Sequence, residues 1–186
     1  MFEDLKIVLY PDPRLKKMSE PVTQFDERLR ALAGRMFELM REAKGVGLAA
    51  PQVGENVRIF VMNATQEPGD DRVYVNPVLS DFDGEEEAEE GCLSLPGIHV
   101  NVNRGKQVRM RAQNLEGQPI EEMATGFMAR VWQHEFDHLN GTLLTDRMGP
   151  VARMTHRKVL SDLKEQYDLL HPPPPPPKRK KRKDKE

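Results

Sequence analysis

Residues 133–138 read QHEFDH and contain the pattern H-E-x-x-H. On a helix, residues four apart lie on one face. His134 and His138 can therefore bind one metal ion, while Glu135 reaches the adjoining edge of that face, where a carboxylate can move protons. Phe127, Val131, His134 and His138 fall on a single narrow stripe of such a helix, apolar at one end and metal-binding at the other. The competing reading is a surface helix that carries two histidines. The flank of Phe127, Met128, Val131 and Trp132 weighs against it, because a Glu buried there without a partner is costly and a metal supplies the partner.

Two histidines leave a catalytic site one protein ligand short of the usual three. The segment after His138 reads LNGTLLTDRMGP; it offers Asp146 as its one acid, and no His follows before His156. Cys92, within EEGCLSLPG, is the better donor. A free cysteine is most often a small buried hydrophobe, but one in a loop with Gly and Ser fits a chain that needs a third ligand. A thiolate and two imidazoles make a borderline-soft site suited to Fe(II), Zn(II), Ni(II) or Co(II). The fourth position is open to water, whose pKa a metal lowers to about 7, so hydroxide is present at neutral pH.

Three segments resemble the signature motifs of the peptide deformylases: GVGLAAPQ at 45–52, EGCLS at 90–94 and QHEFDH at 133–138. They occur in that family's order and at its separations, and the likeness covers about residues 1–165. The resemblance implies a hydrolase that removes the formyl group from the N-terminal formyl-methionine of nascent polypeptides and releases formate. It implies one divalent ion, Fe(II) foremost, held by Cys92, His134 and His138, with Glu135 as general acid/base. On that assignment the ion would supply hydroxide to attack the formyl carbon, and Glu135 would take the proton and later give it to the leaving amine. The resemblance makes the Gln52 amide and the Leu93 N–H the donors to the formyl oxygen, and has Gly45, Val46 and Gly47, with Glu90 and Val131, line the substrate pocket. ARVWQHEFDHLNG and LLTDRM look like the organellar-type branch and its bacterial relatives. Arg130 and His99 depart from many bacterial members, which carry an aliphatic residue and an arginine there.

These residues need elements to hold them. Leu29, Leu32, Ala33, Met36, Phe37, Met40 and Ala43 follow helical spacing, so 26–43 is expected as a helix with Asp26 as N-cap and Gly45 just past its end. Thr125 to Leu139 form the metal-binding helix, stopped near Asn140-Gly141. A third helix follows Pro150, with the stripe His156, Leu160, Leu163, Tyr167 and Leu170. Residues 57–62, 73–79, 98–102 and 107–113 read as strands, 6–9 as a short one, and PGDD and NRGK as turns. GVGLAAPQVG is too small and Gly-rich for a regular element, and the acidic run at 85–90 reads as a solvated loop or edge, apart from Glu90. Arg104 and Asp137 either pair beside the metal helix or lie on the surface. No helical pattern separates the strands. The expected fold class is therefore α+β, with antiparallel sheets around a central H-E-x-x-H helix.

Residues 1–170 are expected to be the catalytic domain, and 171–186, six prolines and then KRKKRKDKE, a disordered tail. Residues 178–186 carry seven basic and two acidic side chains on a chain of net charge −2, so the body is acidic. Lys178, Arg179, Lys180, Lys181, Arg182 and Lys183 are a candidate contact for ribosomal RNA. An acidic body without aromatic-basic patches gives no reason to expect a DNA partner, and no apolar run is long enough for a membrane span. With one cysteine and no signal-like N-terminus, a soluble cytoplasmic chain is expected. The main rival is a zinc endopeptidase sharing the helix, whose downstream third ligand is missing here. A metal-binding protein without activity is opposed by Glu135 and Gln52.

Overall fold

A computed structural model describes residues 1–172. The expected tail lies outside the described residues from 173 onward. Five strands, β1 (Gly47–Ala49), β2 (Ile59–Met62), β3 (Arg72–Gly91), β4 (His99–Gln113) and β5 (Pro119–Thr125), form one antiparallel sheet in chain order. Helix α1 (Glu27–Glu42) precedes the sheet, and α2 (Gly126–Leu139), α3 (Leu144–Arg147), α4 (Pro150–Thr155) and α5 (Arg157–Leu170) follow it.

β2 shows how the layers are built. All four of its side chains are buried, and neighbours on a strand point to opposite faces. Ile59 and Val61 pack with Leu32, Met36 and Met40 of α1, while Phe60 and Met62 join Ala129, Val131 and Trp132 of α2. The sheet thus lies between two helices, and α2 is the more deeply enclosed. Leu95, Ile98 and Val102 pack with Leu144, Met148 and Leu163, which ties the C-terminal helices to the far end of β4. No described helix is long and apolar enough to cross a membrane.

Both long helices form where their spacing places them. Asp26 accepts from the Leu29 N–H at 3.1 Å as the N-cap of α1. α2 ends as Gly141, at φ +69°, donates to the His138 carbonyl.

Several expectations fail. Residues 6–9 are not a strand; the Val8 N–H donates to the Gln52 carbonyl (2.7 Å) and the Tyr10 N–H to that of Ser94 (2.9 Å), a strap across two loops without a ladder. NRGK is not a turn: 98–102 and 107–113 belong to one strand, with Gly105 opposite Glu85. The acidic run, read as a solvated loop or edge, is an edge: the exposed end of β3, which among the described residues pairs only with β4, Glu86 opposite Arg104 and Glu90 opposite Val100. GVGLAAPQVG contains β1 and a 3-10 turn at Ala50–Val53. β5 was not foreseen; its Glu121 pairs with Arg109 and Arg111 on β4, and its Glu122 with Arg72 on β3, the next strand over. The helix after Pro150 breaks at His156, and of its expected stripe only Leu163 is fully buried.

Candidate metal centre and catalytic cleft

Two elements converge on the site. α2 presents His134 and His138 one turn apart, and the chain leaving β3 presents Cys92. The Cys92 Sγ lies 3.3 Å from the His138 Nε2, which lies 3.3 Å from the His134 Nε2. All three donor atoms fall within 4.8 Å of one another. Bonds of about 2.0–2.3 Å in a tetrahedral site separate donors by about 3.3–3.6 Å, so the spacing fits one ion of this class.

The tautomer supports the fit. The His134 Nδ1 is 3.0 Å from Glu90 Oε2. An ionised carboxylate only accepts, so Nδ1 carries a hydrogen, and Nε2, facing His138 and Cys92, is the ring nitrogen left to ligate. Burial opposes charging His134, yet its bonds to Cys92 and Glu90 raise its pKa well above the ordinary value, so ligation requires its Nε2 proton to leave. His138 moves the other way: burial, and then the charge on His134 and Arg104, hold it neutral, the form that ligates.

Glu90 anchors this arrangement. Its Oε1 accepts from Arg104 Nε (2.8 Å) and Arg130 Nη1 (2.7 Å), and its Oε2 from Arg104 Nη2 (2.8 Å) and His134. Burial alone would raise the Glu90 carboxyl; hydrogen bonds from Arg104 and His134 carry it well below the usual carboxylate range. The Arg104–Asp137 pair lies beside the metal helix, not on the surface: Arg104 Nη1 is 2.6 Å from Asp137 Oδ2, and Arg104 is buried. Asp137 is also held by Arg147.

Glu135 is buried, and among the described residues no group pairs with its Oε2. Burial pushes its pKa up to about 7, against the pull of His134 and Arg104, which suits a group that must take and give a proton near neutrality. Gln52 is 1% exposed. Its Oε1 accepts from the Ala49 N–H (2.9 Å), and its Nε2 faces Ser94 Oγ (3.2 Å) and Cys92 Sγ (3.6 Å). The amide is therefore fixed with its donor end toward the cluster.

A cleft of about 380 Å³ opens over these groups. Gly45, Val46, Gly47, Gln52, Glu90, Cys92, Leu93, Val131, His134 and Glu135 all line it, so of the ligand, catalytic and pocket residues expected from sequence only His138, buried behind the cleft, is not in its lining. Arg130 and His99 line it as well. Three residues have roles that the sequence did not reveal, although Arg130 stood out there by its type. Ser94 orients Gln52, and Arg130 binds Glu90; its position one turn before His134 was the available signal. Gln133 is the third: its amide pairs with both the N–H (3.0 Å) and the carbonyl (2.9 Å) of Gly105, pinning α2 to β4.

The family model of polypeptide deformylase matches residues 4–154. The chain belongs to the polypeptide deformylase family. A peptide deformylase of Thermotoga petrophila is 47% identical over 159 residues, which is 85% of this chain and 95% of that protein. The rice protein named peptide deformylase 1B, chloroplastic, is 43% identical over 167 residues, 88% of this chain and 62% of its own length. Among solved structures, the peptide deformylase of Plasmodium falciparum superposes with a TM-score of 0.86 at 40% identity, covering 89% of this chain and 99% of its own. The α+β deformylase fold is thereby established. The enzyme is a metal-dependent hydrolase of protein biosynthesis that removes the N-terminal formyl group from nascent formyl-methionyl polypeptides.

Proposed function

We propose that deformylation proceeds at the cluster of Cys92, His134 and His138, with Glu135 as general acid/base and Gln52 and Leu93 as donors to the formyl oxygen. The observation that carries this reading is the convergence of a thiol sulfur and two imidazole nitrogens at 3.3 Å spacings beside a buried carboxylate whose Oε2 has no partner among the described residues. When bound, a divalent ion lowers the pKa of a coordinated water to about 7 and supplies hydroxide. Glu135 holds the proton released from water and delivers it to the leaving amine. The Gln52 Nε2, fixed by Ala49 and Ser94, and the Leu93 N–H meet the oxyanion; one such donor is typically worth about 2.7–4 kcal/mol.

Gly45, Val46 and Gly47 form one wall of the cleft, and Glu90 and Val131 another part of its lining. The wall stands close to the reacting groups, so a formyl group fits and an acetyl group, one methyl larger, is excluded. Fe(II) is proposed as the native ion, with Zn(II), Ni(II) and Co(II) able to take the same ligands. The working compartment is proposed to be the cytoplasm, whose reducing conditions keep Cys92 a thiol. Residues 1–170 are proposed as the catalytic unit, and residues 178–183 as a salt-sensitive contact to ribosomal RNA. Co-sedimentation of the full chain and a 1–171 truncation with ribosomes across a salt series tests that contact; equal pelleting at low salt would remove it.

The direct test of the site is an anaerobic assay on formyl-Met-Ala-Ser with the metal-free chain reloaded with Fe(II), Ni(II) or Zn(II). Activity should return with one equivalent of metal and be lost, with the metal, in Cys92→Ala. Stoichiometric metal and full turnover in Cys92→Ala would remove Cys92 from the site.

A further inference from the structure

Arg130, His134 and His138 stand one turn apart along α2, facing Glu90 and Cys92 at the end of β3. The two rows meet in register. Arg130 Nη1 donates to Glu90 Oε1 at 2.7 Å, His134 Nδ1 to Glu90 Oε2 at 3.0 Å, and His138 Nε2 lies 3.3 Å from Cys92 Sγ. Arg130 is 6% exposed. Its remaining bonds go to backbone on both strands: Nη1 to the Val102 carbonyl at 2.8 Å and Nη2 to the Glu86 carbonyl at 2.6 Å.

We propose that Arg130 is a positioning residue of the metal centre, which sets the register of α2 against the end of β3 so that Cys92 meets His134 and His138. The inference rests on the reading of those three as the metal ligands. Arg130 and His134 grip the two oxygens of one carboxylate from successive turns of the same helix, and a two-point grip fixes both the rotation and the height of the helix. Cys92 is two residues beyond Glu90, so whatever places Glu90 also places the thiol. With Arg130 bound, two donors occupy each Glu90 oxygen, which uses about all of the carboxylate's lone-pair sites. Arg104 grips the same carboxylate, but from β4; Arg130 is the guanidinium that the ligand helix itself contributes. If Arg130 served only to fill space between helix and strands, an aliphatic side chain would serve as well.

The test is zinc affinity by chelator competition, together with the absorption spectrum of the Co(II)-loaded protein, on the full chain. The variants are Arg130→Leu, Glu90→Gln, the double variant and Arg130→Lys. Arg130→Leu should bind zinc 10–100-fold more weakly and shift the cobalt–thiolate bands. In a Glu90→Gln background the same change should add little, because Arg130 acts through Glu90. Arg130→Lys should recover part of the affinity. Wild-type affinity in Arg130→Leu, or a loss that adds in full to that of Glu90→Gln, would overturn the proposal. If the Leu variant does not fold, Arg130→Lys decides, since one ammonium cannot hold Glu90 and two carbonyls at once; unchanged affinity and spectrum there would overturn it too. Cys92→Ser serves as the separate control: wild-type zinc affinity in that protein would overturn the ligand assignment itself.

Discussion

Gly47 lies directly against Glu135. A Cβ on Gly47 would fall on the Glu135 Oε1 and come within 2.9 Å of its Cδ and 3.0 Å of its Cγ. Glycine is required here for space: β1 is extended, and any residue could take its backbone angles. The cleft wall and the acid/base residue are in contact, so the strand that shapes the pocket also fixes where the carboxylate stands.

Gly47→Ala should therefore displace Glu135 while leaving the ligands in place. The expected result is a fall in kcat of about 10²-fold, the usual consequence of misplacing a reacting group by about 1 Å, with metal content unchanged. Steady-state kinetics on formyl-Met-Ala-Ser and metal analysis on the same sample check both parts. A kcat near that of the wild type would mean that the carboxylate has room to move without consequence.

Gln52→Leu keeps most of the side-chain volume and removes the amide. The loss should appear in kcat, about 10²–10³-fold, with little change in KM. Equal losses in metal affinity would point to a role in holding Cys92, which Gln52 approaches to 3.6 Å.

Away from the chemistry, Gly141→Ala should lower stability with little effect on kcat at low temperature. Gly141 sits at φ +69°, and a Cβ there would meet the backbone of Lys16, with Lys16 C at 2.8 Å. Strain at such a position costs on the order of 1–3 kcal/mol. Urea unfolding at fixed metal load measures it; an unchanged midpoint would mean the N-terminal strap shifts freely.

A thiol beside redox-active iron is open to oxidation. The Fe(II) protein should lose activity in air, and the Ni(II) and Zn(II) forms should keep it. Mass spectrometry of the inactivated protein should find added oxygen on Cys92; loss of activity with Cys92 unmodified would place the damage elsewhere.

Much of the site was legible in sequence because helical spacing is rigid: His134, Glu135 and His138 could take few other relative positions. Cys92 came from the need for a third ligand and Gln52 from the resemblance, since nothing local says that residues 40 positions apart come within 3.6 Å. The sheet was read less well where it is held by charge instead of burial. The end of β3 exposes Glu85, Glu87 and Glu89, and it forms a strand through ladder bonds and contacts such as Asn103 to Glu85 at 2.8 Å; apolar alternation, the usual signal, is absent. β5 was missed for the same reason. NRGK looked like a turn because glycine usually marks one, yet Gly105 lies within β4, where its backbone takes both hydrogen bonds of Gln133.

The account centres on Glu135 as the group that moves the proton without binding the metal. Formate release from formyl-Met-Ala-Ser, measured on Glu135→Gln alongside metal content, tests this most directly. The account predicts one equivalent of metal, a wild-type melting curve and a kcat lower by about 10²-fold or more. Retained turnover would contradict the acid/base role, and loss of the metal would make Glu135 a ligand instead.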